Sequence, residues 1–236
     1  MATLTGRQAR ELLAASLILA VAGLLILPLD MRILELVQQH PPRGEFQNLL
    51  QRSEAFGHGT GVALILITIV VLCRPGVRTT AWLVAAAYGA GMAANLIKVF
   101  VIRTRPHSID EVGASALPGL VDVISAPFTN IVEHIGNSSE QSFPSAHTAT
   151  AFGLAVAIGT LFPRGRVWFF VLAGLVGCQR ICASCHFPSD VCWGAAVGMA
   201  FGVFAMRQLA QPRAETAVQA MPTVVAADLP QEVAVG

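Results

Sequence analysis

Arg180-Ile-Cys-Ala-Ser-Cys-His-Phe-Pro-Ser-Asp190 places a guanidinium, an imidazole and a carboxylate between two long apolar runs. Ionisable groups in such a setting need a partner or a use. Taken alone, the stretch supports two incompatible chemistries. Cys182-x-x-Cys185-His186 spells a c-type haem attachment site, whereas Arg180, His186 and Asp190 spell an anion site with a nucleophilic histidine.

The flanking runs settle the class of protein. Of 236 residues, 54% are apolar and 12% are charged, against about a quarter charged in an ordinary soluble domain. Mean hydropathy is +0.64. The apolar residues fall in blocks long enough to cross about 30 Å of hydrocarbon, which argues for a membrane protein and against a soluble domain with a rich core. A net charge of +1 implies no nucleic-acid partner. Four of the five cysteines lie between Cys178 and Cys192 and Cys73 sits in an apolar run, so they form no disulfide framework of the small secreted kind.

Outward from the central stretch, the pattern predicts an all-α, polytopic bundle of six transmembrane helices with short interfacial helices. The first span, Leu12 to Leu29, follows Arg7 and Arg10; no small-residue cleavage site precedes Asp30, so it reads as a retained helix. Residues 30 to 54 mix charges with apolar periodicity around Pro41-Pro42 and Gly44, as two amphipathic interfacial helices would. His40 and His58 are expected to be interfacial or solvated. Spans two and three are expected at Ala55–Cys73 and Thr80–Ile102. Lys98 near the end of span three lies seven residues before Arg105, a spacing that returns to one face of a helix. Pro106 then turns the chain out of the helix. His107 to Ser142 reads as a loop too long to be a mere connector, of the kind that carries function or disorder. Span four opens with Ser142-Phe143-Pro144-Ser145-Ala146-His147 and runs to Phe162, which puts His147 in a first turn whose free N–H groups favour an anion. Spans five and six are expected at Val167–Arg180 and Asp190–Met206. Residues 1–207 form the membrane domain, and 208–236 read as a disordered cytoplasmic tail.

Six spans put Arg7, Arg10, Arg74, Arg78, Arg164, Arg166, Arg207 and Arg213 on one side. By the positive-inside rule that side, with both termini, is cytoplasmic. The opposite face, periplasmic or extracellular, then collects the ends that carry Lys98, Arg105, Ser145, His147, Arg180, His186 and Asp190. An inner-membrane, multi-pass location follows.

Three segments carry a family resemblance: Lys98-x6-Arg105-Pro106, Pro144-Ser145-Ala146-His147, and Gln179-Arg180-x5-His186-x3-Asp190. In order and spacing they resemble the motifs of the type 2 phosphatidic acid phosphatase (PAP2) superfamily, Lys-x6-Arg-Pro, Pro-Ser-Gly-His and Ser-Arg-x5-His-x3-Asp. Two positions depart from that pattern. Both are tolerable on physical grounds: Ala146 stands for the glycine, keeping the backbone N–H while adding a methyl group with room to crowd the substrate, and Gln179 stands for the serine, supplying an amide in place of a hydroxyl.

The resemblance implies a membrane phosphatase acting on a lipid phosphate or pyrophosphate of the phosphatidic acid, phosphatidylglycerol phosphate, polyprenyl pyrophosphate or lipid A class. It implies that His186 attacks phosphorus to form a phosphohistidine, that Asp190 orients its imidazole, and that His147 protonates the leaving oxygen. Lys98, Arg105, Arg180, Ser145 and the Ala146 amide would hold the phosphoryl oxygens, where charge spreads in the transition state. No metal and no cofactor enter this scheme, and the partners are the lipid substrate and the bilayer. Arg103 lies outside the motifs and is expected to face lipid headgroups. A phosphotransferase using the same site is the nearest alternative. The haem reading of Cys182-x-x-Cys185-His186 leaves Lys98, Arg105, Arg180 and His147 without a role, and a zinc site from Cys182, Cys185, His186 and Asp190 would set a dication among cations. A Cys182–Cys185 disulfide stays open, as does the oligomeric state.

Overall fold

The computed structural model describes residues 3–101, 103–108 and 141–211. Within them the protein is all-helical: α1 (Gly6–Ile26), α2 (Asp30–Gln39), α3 (Gly44–Ser53), α4 (Gly59–Cys73), α5 (Val77–Phe100), α6 (Ala146–Leu161), α7 (Arg166–Cys182) and α8 (Pro188–Ala210). Most of the expected loop His107–Ser142 and the tail from residue 212 lie outside the described residues.

Two short helices, α2 and α3, appear where Pro41-Pro42 and Gly44 separate them. The second expected span starts later than Ala55: Glu54–Phe56 form a single tight turn, and α4 leaves it at a 68° bend from the α3 segment. The last helix runs past Met206 to Ala210. Its carbonyl end is held by Arg78 Nη2, which donates to Gln208 O at 2.9 Å and Gln211 O at 2.6 Å.

Four stretches are long and apolar enough to cross a bilayer: Gly6–Gln39, Val77–Phe100, Pro163–Cys182 and Pro188–Ala210. The bent pair Gly44–Phe56 and Gly59–Cys73 would make a fifth. α6 has 16 residues, fewer than the roughly 20 that span a hydrocarbon core. The expected count of six is therefore not reached by length and composition among the described residues. Large apolar side chains remain exposed along these helices, among them Leu17, Ile18 and Leu25 on α1, Leu64 and Leu72 on α4, Met92 on α5 and Trp168 on α7. A surface of that kind belongs in lipid: this is a membrane protein.

The short α6 is the hub. It packs against α5, α7 and α8, while α8 also packs against α1 and α5. From Thr148 to Thr160 nearly every α6 residue is buried, and most are small. Small residues let helix backbones approach closely, the usual basis of association in lipid. Gly194 shows the constraint, since a Cβ there would stand 2.5 Å from Ser145 O. This contact brings the N-terminus of α8 against the N-terminus of α6. On the other side of α8, Ser16 Oγ of α1 donates to Ala196 O at 2.8 Å.

Candidate active site

The ends of α5 and α7 and the starts of α6 and α8 meet at one end of the bundle. Each is built by a local device. Ser145 caps α6, its Oγ accepting from Thr148 Oγ1 at 2.9 Å and more loosely from Thr148 N at 3.4 Å. Ala146 and His147 follow as the first helical residues. Pro188 occupies the first turn of α8, and Asp190 reaches back so that its Oδ2 accepts from Phe187 N at 2.9 Å. Ser145 N donates to Asp190 O at 3.0 Å, which joins the two helix starts directly.

The turn after α7 decides where Arg180 and His186 stand. Ser184 lies in the left-handed region at φ 52°. Ser184 N donates to Ile181 O at 2.9 Å and Cys185 N to Arg180 O at 3.1 Å. This bonding is the Schellman arrangement, in which a left-handed residue reverses the chain and satisfies the last carbonyls of the helix. Serine carries a steric cost there that glycine would not. Outside contacts hold it: Gln38 Nε2 donates to Ser184 Oγ at 3.1 Å, and His107 N donates to Ser184 O at 3.1 Å. Cys182-x-x-Cys185-His186 is thus a helix-terminating turn. Cys182 and Cys185 are free thiols. Among the described residues no three His, Cys, Asp or Glu side chains gather as metal ligands, so the four candidates for zinc do not converge.

Asp190 is fully buried. Its Oδ1 accepts from Arg103 Nη1 at 2.5 Å, and its Oδ2 accepts from Ser142 Oγ at 2.6 Å. His186 Nδ1 stands 3.7 Å from Oδ2, beyond hydrogen-bond reach, and has no partner among the described residues. The His186–Asp190 contact is therefore open; contacts of this kind commonly tighten when a substrate binds. Burial pushes the His186 imidazole below its usual range, with Lys98 and Arg105 adding to the effect and Asp190 opposing it. The ring is neutral at neutral pH.

Arg103 corrects an expectation. It does not face headgroups: Nη1 holds Asp190, Nη2 donates to Asp30 Oδ2 at 2.6 Å, and the guanidinium lies 4.3 Å from the centre of the Phe187 ring. Asp30, itself buried, also accepts from Ser189 N at 2.9 Å and from Ser189 Oγ. A two-carboxylate clamp with one arginine between fixes the start of α8 against α2. Sequence spacing missed it because Asp30 and Arg103 are 73 positions apart.

The Lys98–Arg105 spacing works differently from the helical face expected for it. α5 ends at Phe100, Val101 is extended, and Arg103 pairs with Gln141 in an isolated parallel bridge. Pro106 disfavours helix in the residue before it, so Arg105 reaches the site from extended chain. Lys98 is buried and its Nζ donates to Gln141 O at 2.7 Å. Arg105 Nε and Arg180 Nε are both buried without a partner among the described residues. Burial, with Arg180 nearby, lowers the Arg105 pKa from its usual value, while Cys185 and Asp190 oppose the shift.

Arg180 Nη1 donates to Glu54 Oε1 at 2.7 Å and Nη2 reaches Cys185 Sγ at 3.2 Å. His147 Nε2 lies 3.9 Å from the same Glu54 oxygen. His58, expected to be solvated, is exposed, yet its ring centre is 5.7 Å from that of His147. A cleft of about 260 Å³ opens beside His147 and Ala146, lined also by His58, Tyr88, Met92 and Asn95. The eight residues singled out by the motifs thus share one end of the bundle. Asp30, Glu54, Arg103 and Ser142 join them without having been foreseen.

A model of the PAP2 superfamily matches residues 79–213, more than half of the chain. Lipid A 1-phosphatase of Rhizobium johnstonii is 35% identical over 114 residues, 48% of this chain and 41% of that protein. Decaprenylphosphoryl-5-phosphoribose phosphatase of Mycobacterium tuberculosis is 31% identical over 141 residues, 59% of this chain and 67% of that protein. The crystal structure of Aquifex aeolicus LpxE superposes with a TM-score of 0.54 at 22% identity, covering 76% of this chain and 95% of that one. That likeness is one of fold. The chain spans less than half the length of the lipid A 1-phosphatases it matches.

Proposed function

The chain belongs to the PAP2 superfamily, and on that premise we propose that it is a membrane phosphatase that removes phosphate from a lipid phosphate or pyrophosphate. One observation carries the proposal. Two arginine Nε–H groups, Arg105 and Arg180, are buried without partners beside a buried neutral imidazole at His186. Buried donors without acceptors are costly, and a phosphoryl group supplies the acceptors they lack.

In this reading Lys98, Arg105, Arg180, Ser145 and the Ala146 amide hold the non-bridging oxygens. His186 attacks phosphorus as the P–O bond to the lipid breaks, and His147 gives its proton to the departing oxygen. Water then attacks the phosphohistidine and releases inorganic phosphate. Asp190 holds His186 in the reactive tautomer, and Arg103 with Ser142 holds Asp190. The cleft beside His147 lies on the leaving-group side and would take the headgroup portion of the lipid. Six crossings, with α4 and α6 as short spans, would put the site at the outer face of the inner membrane and both termini in the cytoplasm.

Three relatives are named as lipid A 1-phosphatases, so lipid A 1-phosphate heads the panel, followed by polyprenyl pyrophosphate, phosphatidylglycerol phosphate and phosphatidic acid. Purified protein in detergent should release phosphate from at least one of them, and His186→Ala should abolish release. His147→Ala should lose roughly 10²–10⁴-fold on the lipid, the range for a missing general acid, and regain part of it on nitrophenyl phosphate, whose leaving group needs no proton. Wild-type turnover in His186→Ala on every substrate would overturn the assignment. Transfer to an added alcohol in preference to water would select the phosphotransferase reading instead.

A further inference from the structure

We propose that Glu54 is a positioning residue of the phosphate site, presenting the unpartnered Nε–H of Arg180 to the substrate; this rests on the phosphatase reading above. Glu54 lies outside the matched span of residues 79–213 and 126 positions from Arg180, so no motif reports it.

The turn that carries Glu54 is wedged between the two helices it would serve. Gly57 N and His58 N both donate to Glu54 O at 2.9 Å, closing the turn. Gly57 abuts both neighbours: a Cβ there would stand 2.6 Å from His147 O on α6 and 2.8 Å from Val176 Cγ1 on α7. No larger residue fits without moving one of them. The carboxylate of Glu54 is thereby set between α6 and α7.

Its two oxygens then engage neighbouring residues of α7. Oε1 accepts from Arg180 Nη1 at 2.7 Å, and Oε2 accepts from Gln179 Nε2 at 3.4 Å. Gln179 is the position where the family motif carries serine, and its longer amide is what reaches this carboxylate. With Nη1 tied back by Glu54 and Nη2 against Cys185 Sγ at 3.2 Å, the unpartnered Nε–H is the donor left for an anion. One carboxylate can thus fix the plane of the guanidinium while the remaining N–H meets a phosphoryl oxygen. The same Oε1, at 3.9 Å from His147 Nε2, sets the spacing between the phosphate-binding arginine and the proposed acid.

An opposing role has the same contacts: Glu54 could be an internal anion that phosphate must displace. Orthovanadate inhibition of the full-length protein separates the two by sign. If Glu54 positions Arg180, Glu54→Ala should weaken orthovanadate about tenfold or more, the scale of one hydrogen bond to a charged group. Glu54→Gln keeps an acceptor for Nη1 and should restore most of that affinity. In an Arg180→Ala background, Glu54→Ala should cost nothing further, because the effect passes through Arg180. If Glu54→Ala does not fold, Glu54→Asp, which withdraws the acceptor by one methylene, should weaken orthovanadate in the same direction. Unchanged or tighter orthovanadate binding in Glu54→Ala or Glu54→Asp would overturn the proposal while lipid phosphate release by wild type left the phosphatase reading intact. Absence of phosphate release by wild type from every lipid would overturn both.

Discussion

Arg103 and His186 show how far single side chains here depend on groups distant in sequence. Arg103 compensates two buried carboxylates, with Asp30 2% and Asp190 0% exposed. Arg103→Ala would strand both, and breaking a buried pair from one side costs about 3–5 kcal/mol. Arg103→Lys should recover little, since one ammonium cannot reproduce a fork whose Nη1 and Nη2 serve different partners. Thermal unfolding in detergent checks both; a loss near zero for Arg103→Ala would mean the clamp is unimportant. For His186 the sign of the pH effect follows from burial. Its folded pKa is depressed, whereas the unfolded imidazole takes up its proton near pH 6.5. As pH falls below about 6.5 the unfolded chain binds protons that folded His186 refuses, so stability is full above that pH and declines below it. The unfolding midpoint of wild type should therefore fall between pH 7 and pH 5 more than that of His186→Gln. Equal slopes would show that the ring is not held neutral by its surroundings.

At the level of elements, what could be read from sequence was whatever has a local signature. Apolar runs located α4, α5, α6, α7 and α8 to within a few residues and placed α1 late, at Leu12 where the helix begins at Gly6, and Pro41-Pro42 separated α2 from α3. The three motifs named His186, His147, Asp190 and the cations around them, and the fold brings these to one end. Missed were contacts set by tertiary proximity alone: Asp30 with Arg103, Glu54 with Arg180, and Ser142 with Asp190, 48 positions apart. Charges on an apparent interfacial helix look solvated until a partner arrives from elsewhere. The Lys98–Arg105 spacing was misread for another reason: periodicity assumed that α5 continues, but it ends at Phe100. The Schellman turn was also hidden, because serine rather than glycine holds its left-handed position. That turn makes a prediction of its own. Ser184→Gly should keep phosphate release and gain up to about 1 kcal/mol from relieved strain, less the lost Gln38 contact. Ser184→Val puts a β-branched residue at positive φ, a cost of about 1–3 kcal/mol, and should displace Arg180 and His186 together. Phosphate release with thermal unfolding tests the pair; a fully active Ser184→Val would show that the turn does not set the site.

The whole molecule has two unlike poles separated by an exposed apolar band. At one pole Arg74, Arg78, Arg164, Arg166 and Arg207 lie at helix ends, and Arg78 caps the carbonyls of α8. At the other, Lys98, Arg103, Arg105 and Arg180 are buried or half-buried, and Arg103 and Arg180 are paired with acidic side chains. Cations neutralised inside the fold do not act as topogenic charges in the way that exposed loop arginines do, so the asymmetry that orients the chain comes from the first pole. On the orientation proposed above, the positive-inside rule would put that pole in the cytoplasm and the site on the outer face. The consequence can be tested with single thiols in a background stripped of the five native cysteines. Gly76 is exposed in the α4–α5 turn, where a Cβ meets nothing within 4 Å, and Ala183 is exposed at the end of α7 beside the site. In intact cells an impermeant maleimide should label Ala183→Cys and spare Gly76→Cys, and permeabilisation should expose both. Labelling of Gly76→Cys with protection of Ala183→Cys would invert the orientation and place the site, and any lipid phosphate it hydrolyses, on the cytoplasmic leaflet.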